Sequence, residues 1–322
     1  MSKNSTGILI QTFLIFILLI LIRHGNLYLI EFVSVIILVY GFILFQKNRI
    51  ARSLQFTKDF TFLKETNNFA ETGQSLFFPE KKHRHVLLII HGYSATPGEL
   101  RLLNAALQKE GIPYYAPLLS GFGLKDLTLL NHVKRQDWLR EVIHAYDLLA
   151  AISDKVSVLG HSMGGLLACR LAEFRTPHKI ILSAPYITLR DDHEKLKKLA
   201  RTTFGNWFFR NIYPSYVRKS GAKKGPDEHY PNKRFAYDLV PLSSVFEMWE
   251  LQEDVNYSQM KYDELLVLFG AKDRTTLKEK VVKLFEENNL RFKEIVYQDS
   301  GHGLFDSNDS SEVVRDSVKF LQ

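Results

Sequence analysis

The chain has 322 residues, 46% hydrophobic and 24% charged, with a net charge of +7 and one cysteine, Cys169. That apolar content excludes a disordered chain and suffices for one large domain with a segment to spare, while a lone cysteine excludes an intrachain disulfide framework and fits a reducing compartment. The basic balance points to an anionic membrane surface as a partner and not to nucleic acid, for which no motif is present.

Two apolar runs open the chain, 7–22 and 27–45. A spanning helix needs about 20 apolar residues, with a floor of about 17. The second run meets this, and the first does so with a few flanking residues. Arg23-His24-Gly25-Asn26 between them reads as a tight turn, so 1–46 is expected to form a transmembrane helical hairpin. Lys3 precedes the first run, and Lys47, Arg49 and Arg52 follow the second. The positive-inside rule then places the remainder, 47–322, on the cytoplasmic side. The competing reading is a single-span signal anchor with the remainder outside. A cleaved signal peptide would need a small-residue cleavage site that the first run lacks.

From 86 onward, short apolar runs alternate with helical patterns. Residues 60–63 and 75–78 read as strands ahead of them, and 86–90 is a continuous apolar strand of the kind covered on both faces. A helix opens at Pro97-Gly98-Glu99 and runs to 109, followed by a strand at 112–116 and a loop with Gly121-Phe122-Gly123. Trp138, Leu139, Val142, Ile143, Tyr146 and Leu149 fall close to helical spacing within 137–152. Strands follow at 155–159 and 179–183. The pattern lapses over 187–261, then resumes with strands at 265–269 and 292–297 and helices near 277–288 and 311–321. Strand alternating with helix implies an α/β fold with a mostly parallel central sheet and helices on both faces.

Between the strand at 155–159 and the helix beginning near 165 stands Gly160-His161-Ser162-Met163-Gly164, the pattern G-x-S-x-G. In a strand–turn–helix context this is a nucleophile elbow: Ser162 is thrust out on a strained turn, and glycines on either side let neighbouring backbone approach. A serine hydroxyl needs a base and a residue to orient that base, met along such chains in the order nucleophile, acid, base. His302, in Ser300-Gly301-His302-Gly303 after the last strand, is the expected base. Asp273, following the strand before it, is the expected acid and ranks above Asp299 and Asp306; its alternative role is a helix cap. An oxyanion needs two N–H donors, expected from Met163 and from Tyr93 in His91-Gly92-Tyr93. Because such donors are backbone groups, Tyr93→Ala need not abolish activity. No metal or cofactor is called for. Cys169 reads as a small core residue.

These residues carry a resemblance. His91-Gly92-Tyr93 with Thr96-Pro97, the stretch from Ala116-Pro117 to Gly121-Phe122-Gly123, Asp137-Trp138 and Gly160-His161-Ser162-Met163-Gly164-Gly165 resemble the α/β-hydrolase family. The chain is most similar to bacterial monoacylglycerol lipases and related carboxylesterases of the serine aminopeptidase-type group. The resemblance implies a Ser-His-Asp hydrolase of carboxylic esters, with a monoacylglycerol, lysolipid or short ester as substrate. One departure is Gly121-Phe122-Gly123, where the family usually has G-H-G; it bears on substrate preference. The 187–261 segment falls where such hydrolases carry a cap. Its Phe204, Trp207, Phe208, Phe209, Tyr213 and Tyr216 would line an acyl pocket or touch lipid. Its cations, among them Lys195, Lys197, Lys198 and Arg201, would meet anionic headgroups or form an ordinary solvated face. A peptidase or thioesterase on the same scaffold, and a catalytically silent membrane adaptor, remain as alternatives.

Overall fold

The computed structural model describes residues 27–59, 75–78, 84–123, 127–188, 191–205, 216–218 and 239–322. Its sheet is built from β1 (Ser75–Phe77), β2 (His85–Ile90), β3 (Tyr114–Ala116), β4 (Lys155–His161), β5 (Lys179–Ser183), β8 (Glu264–Gly270) and β9 (Lys293–Tyr297), in the order β1-β3-β2-β4-β5-β8-β9. Only β1 runs antiparallel, against β3; the other pairs are parallel. The strand at 60–63 lies outside the described residues.

Parallel strands must be roofed on both faces, and the side-chain alternation of each strand serves both. On β2, Val86, Leu88 and Ile90 pack with α3 (Arg135–Ala150) and α4 (Met163–Phe174), while Leu87 and Ile89 pack with α2 (Arg101–Lys109) and α8 (Ser310–Leu321). On β8, Leu265, Val267 and Phe269 join the first layer, which also takes Val281 and Phe285 of α7 (Lys278–Glu287). Leu266 and Leu268 join the second. This is the α/β-hydrolase fold. The 187–261 insertion contributes α5 (Asp191–Arg201), a small antiparallel pair β6 (Tyr216–Arg218) and β7 (Leu239–Pro241), and α6 (Leu242–Asp254).

The expected transmembrane hairpin is not supported. Residues 7–22 lie outside the described residues. The 27–45 run begins a single helix, α1 (Leu27–Asp59), that continues through Lys47, Arg49 and Arg52. Among the described residues no helix is long and apolar enough to cross a membrane. Of the insertion's cations, the side chains of Arg218, Lys219, Lys223 and Lys224 lie outside the described residues. Lys197 pairs with Glu253 and Gln252, Arg201 with Glu250 and Glu253, and Lys198 lies 3.9 Å from Glu194. These charges are thus largely answered within the insertion itself. Phe204 is exposed, whereas Trp207, Phe208, Phe209 and Tyr213 lie outside the described residues.

At the amino-terminal end of the sheet, His85 Nε2 lies 2.6 Å from Ser157 Oγ and its ring meets His178 edge-on. Burial, reinforced by His178, Lys179 and Lys155, lowers its pKa from 6.5 to about 4. The unfolded chain therefore takes up this proton before the folded one does, so stability is full above pH 6.5 and falls as the pH drops toward 4. We expect the fall in thermal midpoint between about pH 7 and pH 5 to be smaller in His85→Gln than in the wild type. Equal falls in circular-dichroism melts would refute this.

Candidate active site

Strand β4 turns into α4 through Ser162 alone. That residue adopts φ 54° and ψ −113°, a conformation that costs a non-glycine residue roughly 1–3 kcal/mol. Two backbone bonds hold it there: Ser162 N–H donates to Ser183 O (2.9 Å), and Tyr186 N–H donates to Ser162 O (3.0 Å). The flanking glycines are required by contact. A Cβ at Gly160 would lie 2.2 Å from Gly164 O, and one at Gly164 would lie 2.1 Å from Ile90 O.

Two distant loops meet Ser162. Its Oγ–H donates to His302 Nε2 at 2.9 Å, and His302 Nδ1–H donates to Asp273 Oδ2 at 2.9 Å. The carboxylate accepts at Nδ1, which fixes the proton there and leaves Nε2 as the acceptor. Asp273 is nearly fully buried. Its Oδ1 also receives the N–H groups of Thr275 (2.7 Å) and Thr276 (3.1 Å). Burial by itself would raise this carboxyl. The His302 ring and the two N–H donors outweigh it and hold the group below its ordinary value. Asp273 thus orients the imidazole and anchors its own turn at once. Asp299 and Asp306 are engaged elsewhere, with Lys272 (2.8 Å) and Arg101 (2.9 Å).

The loop after β2 lies directly against the elbow: a Cβ on Gly92 would stand 3.4 Å from Ser162 Cβ. Both polar groups of the Gly92 residue are tied down. Its N–H donates to the buried Glu99 carboxylate, and its carbonyl accepts from Ala95 N–H (3.2 Å) and from His91 Nδ1–H (2.9 Å). The His91 tautomer follows from its other nitrogen, which accepts Leu119 N–H at 3.1 Å. Burial lowers the His91 pKa, with Glu99 opposing, so the ring is a neutral brace. The loop is therefore built to present the next amide, that of Tyr93, in a fixed direction. Met163 occupies the first position of α4, where an N–H has no acceptor within its own helix.

The Tyr93 side chain is more constrained than the sequence suggested. It is buried, packs edge-on against Phe122 and Trp138, and its hydroxyl meets Ser244 of α6. Truncation at Tyr93 would open a cavity beneath the loop, so Tyr93→Ala removes far more than a side chain the site can spare. Phe122 stacks on Trp138 (5.6 Å, 26°) and meets His91 edge-on, which seats the Gly121-Phe122-Gly123 loop in an aromatic cluster. Sequence reasoning missed Glu99, Thr275, Thr276 and Ser244. Only Glu99 left a signal, as an acidic residue seven positions past Gly92 in an otherwise buried turn. Cys169 is buried in the core, as read from the sequence. Among the described residues no group of three or more His, Cys, Asp or Glu side chains is arranged to hold a metal ion.

The close approach at the elbow makes a direct prediction. Gly164→Ala must push α4 off β2 and is expected to lower unfolding free energy by about 3 kcal/mol. A urea midpoint unchanged from the wild type would refute it.

Residues 81–309 match the family described as Hydrolase_4: Serine aminopeptidase, S33. A Carboxylesterase of Bacillus subtilis (strain 168) is 24% identical over 243 residues, 73% of this chain and 92% of that protein. A Thermostable monoacylglycerol lipase of Bacillus sp. (strain H-257) is 29% identical over 184 residues, 56% of this chain and 66% of that protein. Among solved structures, one from a study of LipS and LipT, two metagenome-derived lipolytic enzymes, superposes with a TM-score of 0.64 at 17% identity. It covers 78% of this chain and 97% of that chain. With a match across most of its length, the chain belongs to the Hydrolase_4 (serine aminopeptidase, S33) family of α/β-hydrolases.

Proposed function

We propose that this protein is a serine hydrolase that cleaves carboxylic esters bearing a single acyl chain, through a covalent acyl-enzyme on Ser162. The hydrogen-bonded line from Ser162 through His302 to Asp273 is the observation that carries this reading. As Ser162 Oγ attacks the carbonyl carbon, its proton passes to His302 Nε2. Asp273, ionised and held by two N–H donors, stabilises the imidazolium that results. The amides of Tyr93 and Met163 receive the carbonyl oxygen as it becomes an oxyanion. His302 then returns its proton to the departing alkoxide, and water repeats the sequence to release the acid.

The ester preference draws support from the relatives named as a carboxylesterase and a monoacylglycerol lipase. The same line of residues also attacks amides, and the family's description as serine aminopeptidase keeps a peptidase in view. A panel of p-nitrophenyl esters, monoacylglycerols and aminoacyl amides ranks the two. Fluorophosphonate labelling of the wild type but not of Ser162→Ala is expected; absence of labelling would favour a silent binding protein. Asp273→Asn is expected to lower kcat by roughly 10⁴-fold, and His302→Ala comparably. Asp299→Asn should remain near the wild type. An active Asp273→Asn beside an inactive Asp299→Asn would overturn the assignment of the acid.

We propose further that the amino-terminal segment holds the enzyme at a bilayer with its catalytic domain on the cytoplasmic side. The support is the apolar runs 7–22 and 27–45 with their flanking cations. In addition, Tyr28, Phe32, Leu38, Val39, Phe42 and Phe45 of α1 are all exposed. The full chain is then expected to float with liposomes and resist alkaline carbonate, with a carboxy-terminal phosphatase fusion inactive. Carbonate-soluble protein, or an active phosphatase fusion, would refute the anchor or its orientation.

A further inference from the structure

Tyr93 faces two ways. Its backbone belongs to the loop against Ser162, while its ring passes into the core edge-on beside the stacked pair Phe122 (5.7 Å, 81°) and Trp138 (6.4 Å, 77°). Beyond them its hydroxyl meets Ser244 Oγ, in the first turn of α6 within the 187–261 insertion. Ser244 is fully buried and its own proton is committed, donated to Pro241 O at 2.8 Å. The proton shared by the pair is therefore the tyrosine's, and Ser244 is the acceptor. A tyrosine ring has two side-chain torsions, and here the ring is buried and braced by the Phe122–Trp138 stack. A displacement of the hydroxyl is then passed to the backbone with little slack.

The insertion is seated beside this contact by separate bonds. Ser243 Oγ–H donates to Asn131 Oδ1 (2.9 Å), Lys134 Nζ pairs with Glu247 (2.9 Å), and Arg135 pairs with Asp254 (2.7 Å) and Glu247 (3.3 Å). Of the bonds named here, the one to Ser244 reaches a residue of the β2 loop.

We propose that Ser244 is a positioning residue: by fixing the Tyr93 hydroxyl it holds the Tyr93 N–H on the oxyanion, so that the donor pair is complete only while the insertion is seated. This rests on the reading of Ser162 as nucleophile. It makes the insertion part of the catalytic geometry. Its consequence is selectivity: an ester that fits under the seated insertion is hydrolysed, and one that props α6 away is bound with a weakened oxyanion site.

The test uses the full chain as Tyr93→Phe, Ser244→Ala, their double variant and Ser243→Ala. For each, kcat and KM are measured on a p-nitrophenyl ester, together with the affinity of a trifluoromethyl ketone that mimics the tetrahedral adduct. Each single variant is expected to lower kcat and ketone affinity about tenfold, less than the loss of a whole donor because the amide remains. KM should change by less than about twofold, since ground-state binding does not use the oxyanion donors. The double variant should be no worse than either single one. Ser243→Ala removes a neighbouring bond of the insertion without touching Tyr93, and should match the wild type. Tyr93→Phe keeps the ring and its packing, so it carries the test if Ser244→Ala fails to fold. Both single variants retaining wild-type kcat, additive losses, or an equal loss in Ser243→Ala would overturn the coupling. A wild type that neither hydrolyses the ester nor takes a fluorophosphonate on Ser162 would overturn the underlying reading as well.

Discussion

The structure depends on a reversal of the backbone within one residue. Strand β4 ends at His161 and α4 begins at Met163, so Ser162 must sit at positive φ with helix, strand and β2 loop all within van der Waals reach. Nothing local rewards that conformation. It persists because Ser183 O and Tyr186 N–H grip the turn from the adjacent strand and its loop, and because Gly160 and Gly164 allow the approach. The hydroxyl is left at the carboxyl edge of the sheet, where the ends of β2, β5, β8 and β9 converge.

Around that point the loops are bonded to one another. Thr276 donates its hydroxyl to Ala184 and Pro185 carbonyls, tying the Asp273 turn to the segment that grips the elbow. Gly270 abuts the carbonyls of Ser300 and Gly301, and Lys272 N–H donates to Ser300 O (2.9 Å), so the turn bearing Asp273 and the loop bearing the imidazole are joined through their backbones. Arg101, just past Glu99, pairs with Asp306, just past His302. His161 packs its ring 5.4 Å from that of His302 and bonds Ser183. On the proposed mechanism, a site assembled this way carries little reorganisation into the reaction, which is where electrostatic catalysis gains most.

The sheet was legible because buried parallel strands are written as unbroken apolar runs, and 86–90, 179–183 and 265–269 match their strands to within a residue or so. The convergence of Ser162, Asp273 and His302 was legible because each stands just beyond a strand end, so topology brings together what sequence separates. The insertion was not. Its elements are short, β6 and β7 have three residues each, and α6 buries Ser244 beside Met248 and Trp249, which blurs the helical stripe. Lys197 and Arg201 read as a basic face because their partners, Glu250 and Glu253, lie some fifty residues away on another helix. Ser244 was invisible for the same reason: its role is set by what a tertiary contact presents to it.

Cys169 has a consequence of its own. It is the chain's one cysteine, sealed inside α4 two turns from Ser162, and burial drives its thiol far above the ordinary range. Folded, it offers no sulfur to oxidants, electrophiles or a second copy of the chain. Any thiol chemistry observed on this protein therefore clocks the lifting of α4 from the sheet, making the sulfur a native stopwatch for local opening of the very helix that carries the turn.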